Sequence, residues 1–285
     1  MVFKTKRGGR SMKYAFFTGA TGGLGERCVR ALSETGRWTV FAAGMNRQKL
    51  EGLGMMQNVI PINVDITEDE SVEAAQQNVQ KYTDRLDAIV NFAGVTSFLS
   101  MVENDSVKAV ERALAINVTG MVRVNRIFFE MIYKGHGRIV NCSSEAGWMT
   151  PQPFAAPYFL SKRAVEAYSD SLRRELLCLD IPVVKIQPGS YKTNITDDII
   201  NGFDQTMART KYYREVLTKM KPLMTQELEQ ENDPAKLVKT VLRAMESRHP
   251  KLQYRVGTGR LLRLLELLPE KGVDRLYGMI FKRRS

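Results

Sequence analysis

The sequence predicts an α/β protein with a doubly wound parallel sheet, and three observations carry that expectation. Short, continuously apolar runs alternate with amphipathic stretches over the first 190 residues. Strands buried on both faces read in this way, and helices between them make the crossovers. A glycine-rich turn joins the first run to the first amphipathic stretch. The chain of 285 residues can bury about three-quarters of its unfolded surface, so it needs no disulfide or metal staple. There is no internal repeat and no low-complexity linker, which points to a single domain.

Each element has its own signal. Tyr14-Ala15-Phe16-Phe17-Thr18 reads as the first strand and Leu24 to Ser33 as the first helix. Trp38 to Ala43 and Asn58 to Ile62 follow as strands. Glu68 to Tyr82 is helical, with Val72, Ala75 and Val79 on one face. Leu86 to Asn91 is the fourth strand, and Val107 to Tyr133 is one long helix or two. Arg138 to Cys142 is the fifth strand, Tyr158 to Leu179 a long helix, and Val183 to Gln187 the sixth strand. Residues 190–230 break the rhythm and read as a lid. Pro234 to Arg248 restores a helix, with proline at its start. Gln253 to Val256 is a last strand. The expected organisation is a basic leader (1–12), one catalytic domain (13–260, lid about 190–230) and an amphipathic C-terminal extension (261–285).

Composition excludes several classes. A hydrophobic share of 44% and a charged share of 26% suit a soluble globular protein rather than a disordered or multi-spanning one. Cys28, Cys142 and Cys178 form no CxxC pair, and only His136 and His249 are present, so neither a metal site nor a Ser-His-Asp hydrolase is expected. The charge-free stretch Ala88 to Val102 is too short to span a bilayer, which takes about 20 apolar residues. The net charge is +11, but Lys4, Lys6, Arg7 and Arg10 lie at one end and Lys282, Arg283 and Arg284 at the other; without these seven, +4 remains. The excess thus reads as solvated tails, with an anionic membrane surface as the second reading and no nucleic acid expected.

Thr18-Gly19-Ala20-Thr21-Gly22-Gly23-Leu24-Gly25 lies between the first strand and the first helix. Glycines there give a tight turn, backbone approach to a pyrophosphate and close helix packing, and the helix N-terminus offers free amides to the anion. This placement predicts a Rossmann-type nucleotide site. An acid about 20 residues on would bind a ribose diol, yet no Asp or Glu occurs between Glu34 and Glu51. Arg47 is placed to meet a 2′-phosphate, so NADP is expected ahead of NAD.

Tyr158 and Lys162 stand at i and i+4, on one helix face. Ser144 sits just after the fifth strand, at the end where ligands bind in open α/β sheets. A lysine cation favours the phenolate of a nearby tyrosine, which can then exchange a proton with a hydroxyl or carbonyl. A serine hydroxyl can bond the same oxygen. Ser143 is the nearest rival for that role.

Together these residues resemble the short-chain dehydrogenase/reductase family from Lys13 to about Asn194. The loop matches the family's TGxxxGxG at Thr18, Gly19, Gly23 and Gly25, with Thr21 and Leu24 between. Asp65 and Ile66 match the segment that contacts adenine. Asn91-Phe92-Ala93-Gly94 is similar to the family's NNAG, which implies cofactor contacts at Asn91, Ala93 and Gly94. Asn117 matches the residue that kinks a helix and supports a proton path. Ser144, Tyr158 and Lys162 complete the implied catalytic set. Pro188, Gly189 and Thr193 match the segment that meets the nicotinamide. Glu166 to Leu176, Pro188 to Thr193 and Tyr254 to Gly257 resemble the retinol and hydroxysteroid dehydrogenase group, which implies a small lipophilic alcohol or ketone as substrate.

Met149, Phe154, Tyr191, Phe203, Met207, Tyr212, Tyr213 and Met224 are expected around the pocket entrance, as substrate contacts or as lid packing. Two further readings stay open. One is a nucleotide sensor without catalysis on the same fold. The other is an extended-branch epimerase or dehydratase, because Gly22-Gly23 also fits TGxxGxxG. A cytoplasmic homo-oligomer is expected, with peripheral membrane contact through the Leu-rich stretch from Leu261 as a second expectation.

Overall fold

Adjacent side chains on each strand point to opposite faces, and here both faces are buried. In β1 (Lys13–Thr18) Phe16 joins one core and Phe17 the other; in β2 (Trp38–Gly44) Phe41 and Val40 divide in the same way. This is a computed structural model, and it describes residues 12–103, 105–191, 194–229, 232–259, 263 and 265–281. With β3 (Val59–Asn63), β4 (Ala88–Asn91), β5 (Arg138–Cys142), β6 (Val183–Pro188) and β7 (Gln253–Val256) the strands form one parallel sheet in the order β3-β2-β1-β4-β5-β6-β7. The order reverses between β1 and β4, which opens a crevice at the carboxyl ends of the strands.

Helices cover both faces. On one lie α1 (Gly23–Glu34), with Cys28, Val29 and Leu32 buried, and, from later in the chain, Pro234–Glu246, with Leu237, Val241 and Ala244 buried. On the other lie α3 (Asp69–Gln80), α5 (Met121–Ile127) and α6 (Phe129–Gly135), which bury Val72, Val124 and Met131. The short α2 (Arg47–Gly54) links β2 to β3. The long stretch expected from Val107 to Tyr133 is broken. It comprises α4 (Ser106–Leu114), a wide π-turn over Ala115–Gly120, α5 and α6. Helix α7 (Ala156–Glu175) runs on into a tighter turn at Leu176–Leu179.

The expected lid is two helices, α8 (Asn194–Arg209) and α9 (Arg214–Glu229), with α10 (Pro234–Glu246) after them. A third apolar cluster of Phe98, Phe154, Phe203 and Leu217 fastens the lid to the loop after β4. Phe154 has φ +65, the left-handed region that bulky residues rarely adopt. That strained turn brings its ring within 5.4 Å of Phe98 and 5.2 Å of Tyr213. The C-terminal extension is a helix only in part among the described residues. Pro269 precedes α11 (Glu270–Phe281), which packs on α9.

Candidate active site

A cavity of about 1320 Å³ opens along the carboxyl ends of the strands. One half is lined by glycines and polar loops, the other by aromatic and aliphatic side chains. Thr18, Gly19, Thr21, Gly23, Leu24 and Gly25 line the first half, as do Asp65, Ile66, Ala93, Gly94, Pro188 and Gly189. Thr193 lies outside the described residues. Gly19 has φ +70, and a Cβ on it would stand 2.5 Å from the Ala93 amide nitrogen. A Cβ on Gly25 would stand 2.1 Å from the Gly19 carbonyl. Only glycines allow this close passage of strand, loop and helix. The open N-terminus of α1 and the side-chain-free cradle fit the pyrophosphate of a dinucleotide. Thr18 Oγ1 accepts the amides of Phe92 and Ala93, at 3.2 and 3.3 Å, and so ties the cradle to β4.

Two expected cofactor contacts are placed elsewhere. Asn91 is 2% exposed and does not line the cavity. Its side-chain amide donates to Asn125 Oδ1 at 2.8 Å and Asn141 Oδ1 at 2.9 Å, while Asn141 in turn donates to Ser169. The asparagine is thus a tie beneath the site, holding β4 to β5 and α5. Arg47 begins α2 in solvent, and Lys49 enters the cavity instead. Asn46 caps α2 by accepting the Lys49 amide, which turns the lysine inward, and Lys49 Nζ donates to the Thr21 carbonyl at 3.1 Å. Gly44 belongs to the same corner: a Cβ there would press on Thr21 Oγ1 at 2.7 Å.

Ser144, Tyr158 and Lys162 meet where the two halves join. Ser144 follows β5 and caps a single 3₁₀ turn, its Oγ accepting the Ala146 amide at 3.2 Å. Its hydroxyl also hydrogen-bonds the Tyr158 phenol. Ser143 Oγ lies beside Gly147 instead and finds no hydrogen-bond partner among the described residues. Lys162, 4% exposed, donates to the Cys142 carbonyl at 3.0 Å and lies 5.6 Å from the Tyr158 ring centre.

Asn117 stands in the π-turn, fully buried and outside the cavity wall. Its Oδ1 accepts the Val95 amide at 2.8 Å; its Nδ2 donates to the Val95 carbonyl at 2.9 Å and to Ser161 Oγ at 2.8 Å. The side chain is spent on clamping the loop after β4 to α7.

Electrostatics depart from the expectation that Lys162 lowers the tyrosine pKa. Burial pushes Tyr158 well above the ordinary phenol value, and the bond to Ser144 offsets this only in part; Cys142 and Glu145 push it further up. Burial also lowers Lys162, against which Cys142 and then Glu166 favour its charged form. Desolvation outweighs the attraction of a cation whose own bond goes to a carbonyl.

In the apolar half, Met149, Tyr191 and Met224 line the cavity as expected from the sequence. Phe203, Met207 and Tyr213 instead build the cluster behind it, and Tyr212 is 66% exposed. Leu265, Leu276, Tyr277 and Phe281 also line this half, which no local pattern in the chain foretells. They reach it because α11 folds back on α9, and Glu266 anchors the segment by accepting the Thr150 amide.

A family model described as short chain dehydrogenase matches residues 13–202. The chain is 31% identical to retinol dehydrogenase 16 of Rattus norvegicus over 261 residues, covering 86% of this chain and 80% of the relative. It is 29% identical to the uncharacterized oxidoreductase YusZ of Bacillus subtilis, covering 89% and 92%. Among solved structures, a short-chain dehydrogenase from Streptomyces avermitilis superposes with a TM-score of 0.74 at 22% identity, covering 95% of this chain and 96% of that one. With this fold, this cradle and this match, the chain belongs to the short-chain dehydrogenase/reductase family of NAD(P)-dependent oxidoreductases.

Proposed function

We propose that the protein interconverts a hydroxyl and a carbonyl on a lipophilic substrate, with Tyr158 as the acid and base. The observation that carries this reading is the convergence of Ser144, Tyr158 and Lys162 on the seam between the glycine cradle and the apolar half. The bound nicotinamide supplies or takes the hydride. Ser144 and Tyr158 hold the substrate oxygen between two hydroxyls, which fixes the carbon next to it in the seam. The raised pKa keeps Tyr158 a neutral phenol, so the resting site is set to donate a proton to a carbonyl oxygen. Lys162 keeps a positive charge beside the phenolate that forms. Asn117 holds the wall behind them and offers its carbonyl to a proton path.

The cofactor reading follows from the corner at Gly44. Lys49 places a cation there, and a 2′-phosphate suits that charge. NADP is therefore preferred, through Lys49 rather than Arg47.

The substrate reading follows from Phe98, Met149, Met220, Met224 and Phe281 around the other half, and from the relatedness to a retinol dehydrogenase. Leu267, at 78% exposed, with Leu268 and Met279, forms the apolar surface that the C-terminal segment leaves in solvent and would present to a bilayer. Among the described residues no helix is long and apolar enough to cross one. Val107 on α4 and Leu160 on α7 are exposed on helices that pack together, and they offer a seam for a homo-oligomer. The test is turnover of retinal, a steroid ketone and a short aliphatic ketone with NADPH and NADH. Preference for the short ketone would overturn the lipophilic reading, and activity in Tyr158→Phe would overturn the mechanism.

A further inference from the structure

Helix α7 carries a third ionisable side chain on the face of Tyr158 and Lys162. Glu166 follows Lys162 by four residues, one turn along the helix. Its carboxylate accepts from Lys185 Nζ at 2.8 Å and from Gln187 Nε2 at 2.9 Å. Lys185 stands within β6, is 6% exposed, and also pairs with Asp170 at 2.8 Å. Gln187 Oε1 accepts from Arg255 Nε at 3.3 Å, and the Arg255 guanidinium lies 4.0 Å from the centre of the Trp148 ring. Trp148 closes the turn that begins at Ser144. Within that turn, a Cβ on Gly147 would stand 2.8 Å from Glu166 Cγ. One carboxylate therefore ties together the helix of Tyr158 and Lys162, strand β6 and the turn of Ser144.

We propose that Glu166, held by Lys185, is a positioning residue of this active site, seating the Ser144 turn against α7 and supplying the carboxylate that balances Lys162. The inference rests on the roles given above to Tyr158 and Lys162. A buried ion pair is seldom worth more than an apolar pair of the same volume, so stability alone is a poor reason for a lysine within a central strand. A buried ammonium needs a counter-charge, and among the described residues the hydrogen bond of Lys162 goes to a neutral carbonyl. The ionisable groups facing it are the Cys142 thiol from β5 and Tyr158 and Glu166 from its own helix; Glu145, in the turn after β5, acts on Tyr158. Burial pushes the Cys142 thiol up to about 11, so it is neutral at physiological pH. Glu166 is the remaining anion.

The test compares Glu166→Gln and Glu166→Asp in the full-length protein, by the pH dependence of kcat/KM for reduction of retinal with NADPH and by NADPH titration. Loss of the carboxylate disfavours the Lys162 cation and favours the Tyr158 phenolate. Both effects move the alkaline limb in Glu166→Gln to lower pH, by about one unit, with NADPH affinity unchanged. Glu166→Asp keeps the limb in its wild-type place. An alkaline limb that stays put in Glu166→Gln overturns the proposal, whatever happens to kcat. If that variant does not fold, Lys185→Gln removes the partner cation instead, which favours the Lys162 cation and disfavours the Tyr158 phenolate, so the limb moves to higher pH; an unmoved limb there overturns the proposal equally. Tyr158→Phe measured alongside separates the two failures. If it is active, the mechanism itself fails; if it is inactive beside an unshifted Glu166→Gln, only the role of Glu166 fails.

Discussion

Replacing Lys49 by alanine removes a cation that the structure brings to the Gly44 corner of the cavity. Its ammonium stands 3.1 Å from the Thr21 carbonyl, on a half-buried side chain. Two unit charges about 4 Å apart interact by about 1 kcal/mol in bulk water and about 4 kcal/mol near a protein surface. Partial exposure and the bond to Thr21 favour the lower part of that range. A loss of about 1–2 kcal/mol corresponds to a factor of about 5–30 in Kd. The expected result is that Lys49→Ala weakens NADP by that factor and leaves NAD nearly unchanged. Lys49→Glu adds repulsion and reverses the preference. Calorimetric titration of the cofactor-free protein with NADP and NAD reads both constants without turnover. Equal weakening of the two cofactors, or an unchanged ratio, would show that this corner does not read the 2′-phosphate.

Other perturbations have equally definite outcomes. Tyr158→Phe lowers kcat by about 10²–10⁴, the usual worth of acid–base help, while calorimetry finds cofactor affinity intact. Because burial raises the Tyr158 pKa above the ordinary phenol value of about 10, its protonated form persists past that pH, and carbonyl reduction shows no fall from Tyr158 below it; a fall through neutral pH would refute this. Gly44→Asp, which on charge alone should simply favour NAD, also forces Thr21 aside, so both cofactors bind more weakly and NADP the more so. Asn91→Leu leaves Asn125 and Asn141 short of a buried donor and lowers stability by about 1–3 kcal/mol, seen in chemical denaturation. Truncation after residue 260 removes part of the cavity wall and raises KM for a lipophilic substrate. Vesicle co-sedimentation of the same truncated chain reports the bilayer contact, which equal partitioning with the full chain would rule out.

The alternation of apolar runs, the glycine loop and the Ser-Tyr-Lys spacing were legible because each is local. A strand's burial shows in its own residues, and an i, i+4 pair shares a face on any helix. Local pattern could not say how a side chain is used once strands become neighbours. Asn91 falls in a cofactor motif, yet β4 lies between β1 and β5, where its amide serves the asparagines beside it. Arg47 is nearer the end of β2 in sequence, yet the Asn46 cap turns Lys49 inward. Ser143 and Ser144 are equivalent as letters, and only the direction of the chain leaving β5 separates them. Lys162 sits where spacing placed it, but the tyrosine's pKa depends on how much water is excluded, which no spacing encodes. Residues 270–281 carry no local sign that they pack into the fold, because α9, on which α11 lies, is some 40 residues upstream. The sequence by itself therefore determined the sheet, the cradle and the catalytic letters, since short-range sterics and periodicity specify them. Tertiary structure alone decided which cation meets the cofactor, which carboxylate faces Lys162 and what closes the cavity, because those depend on contacts between segments distant in the chain.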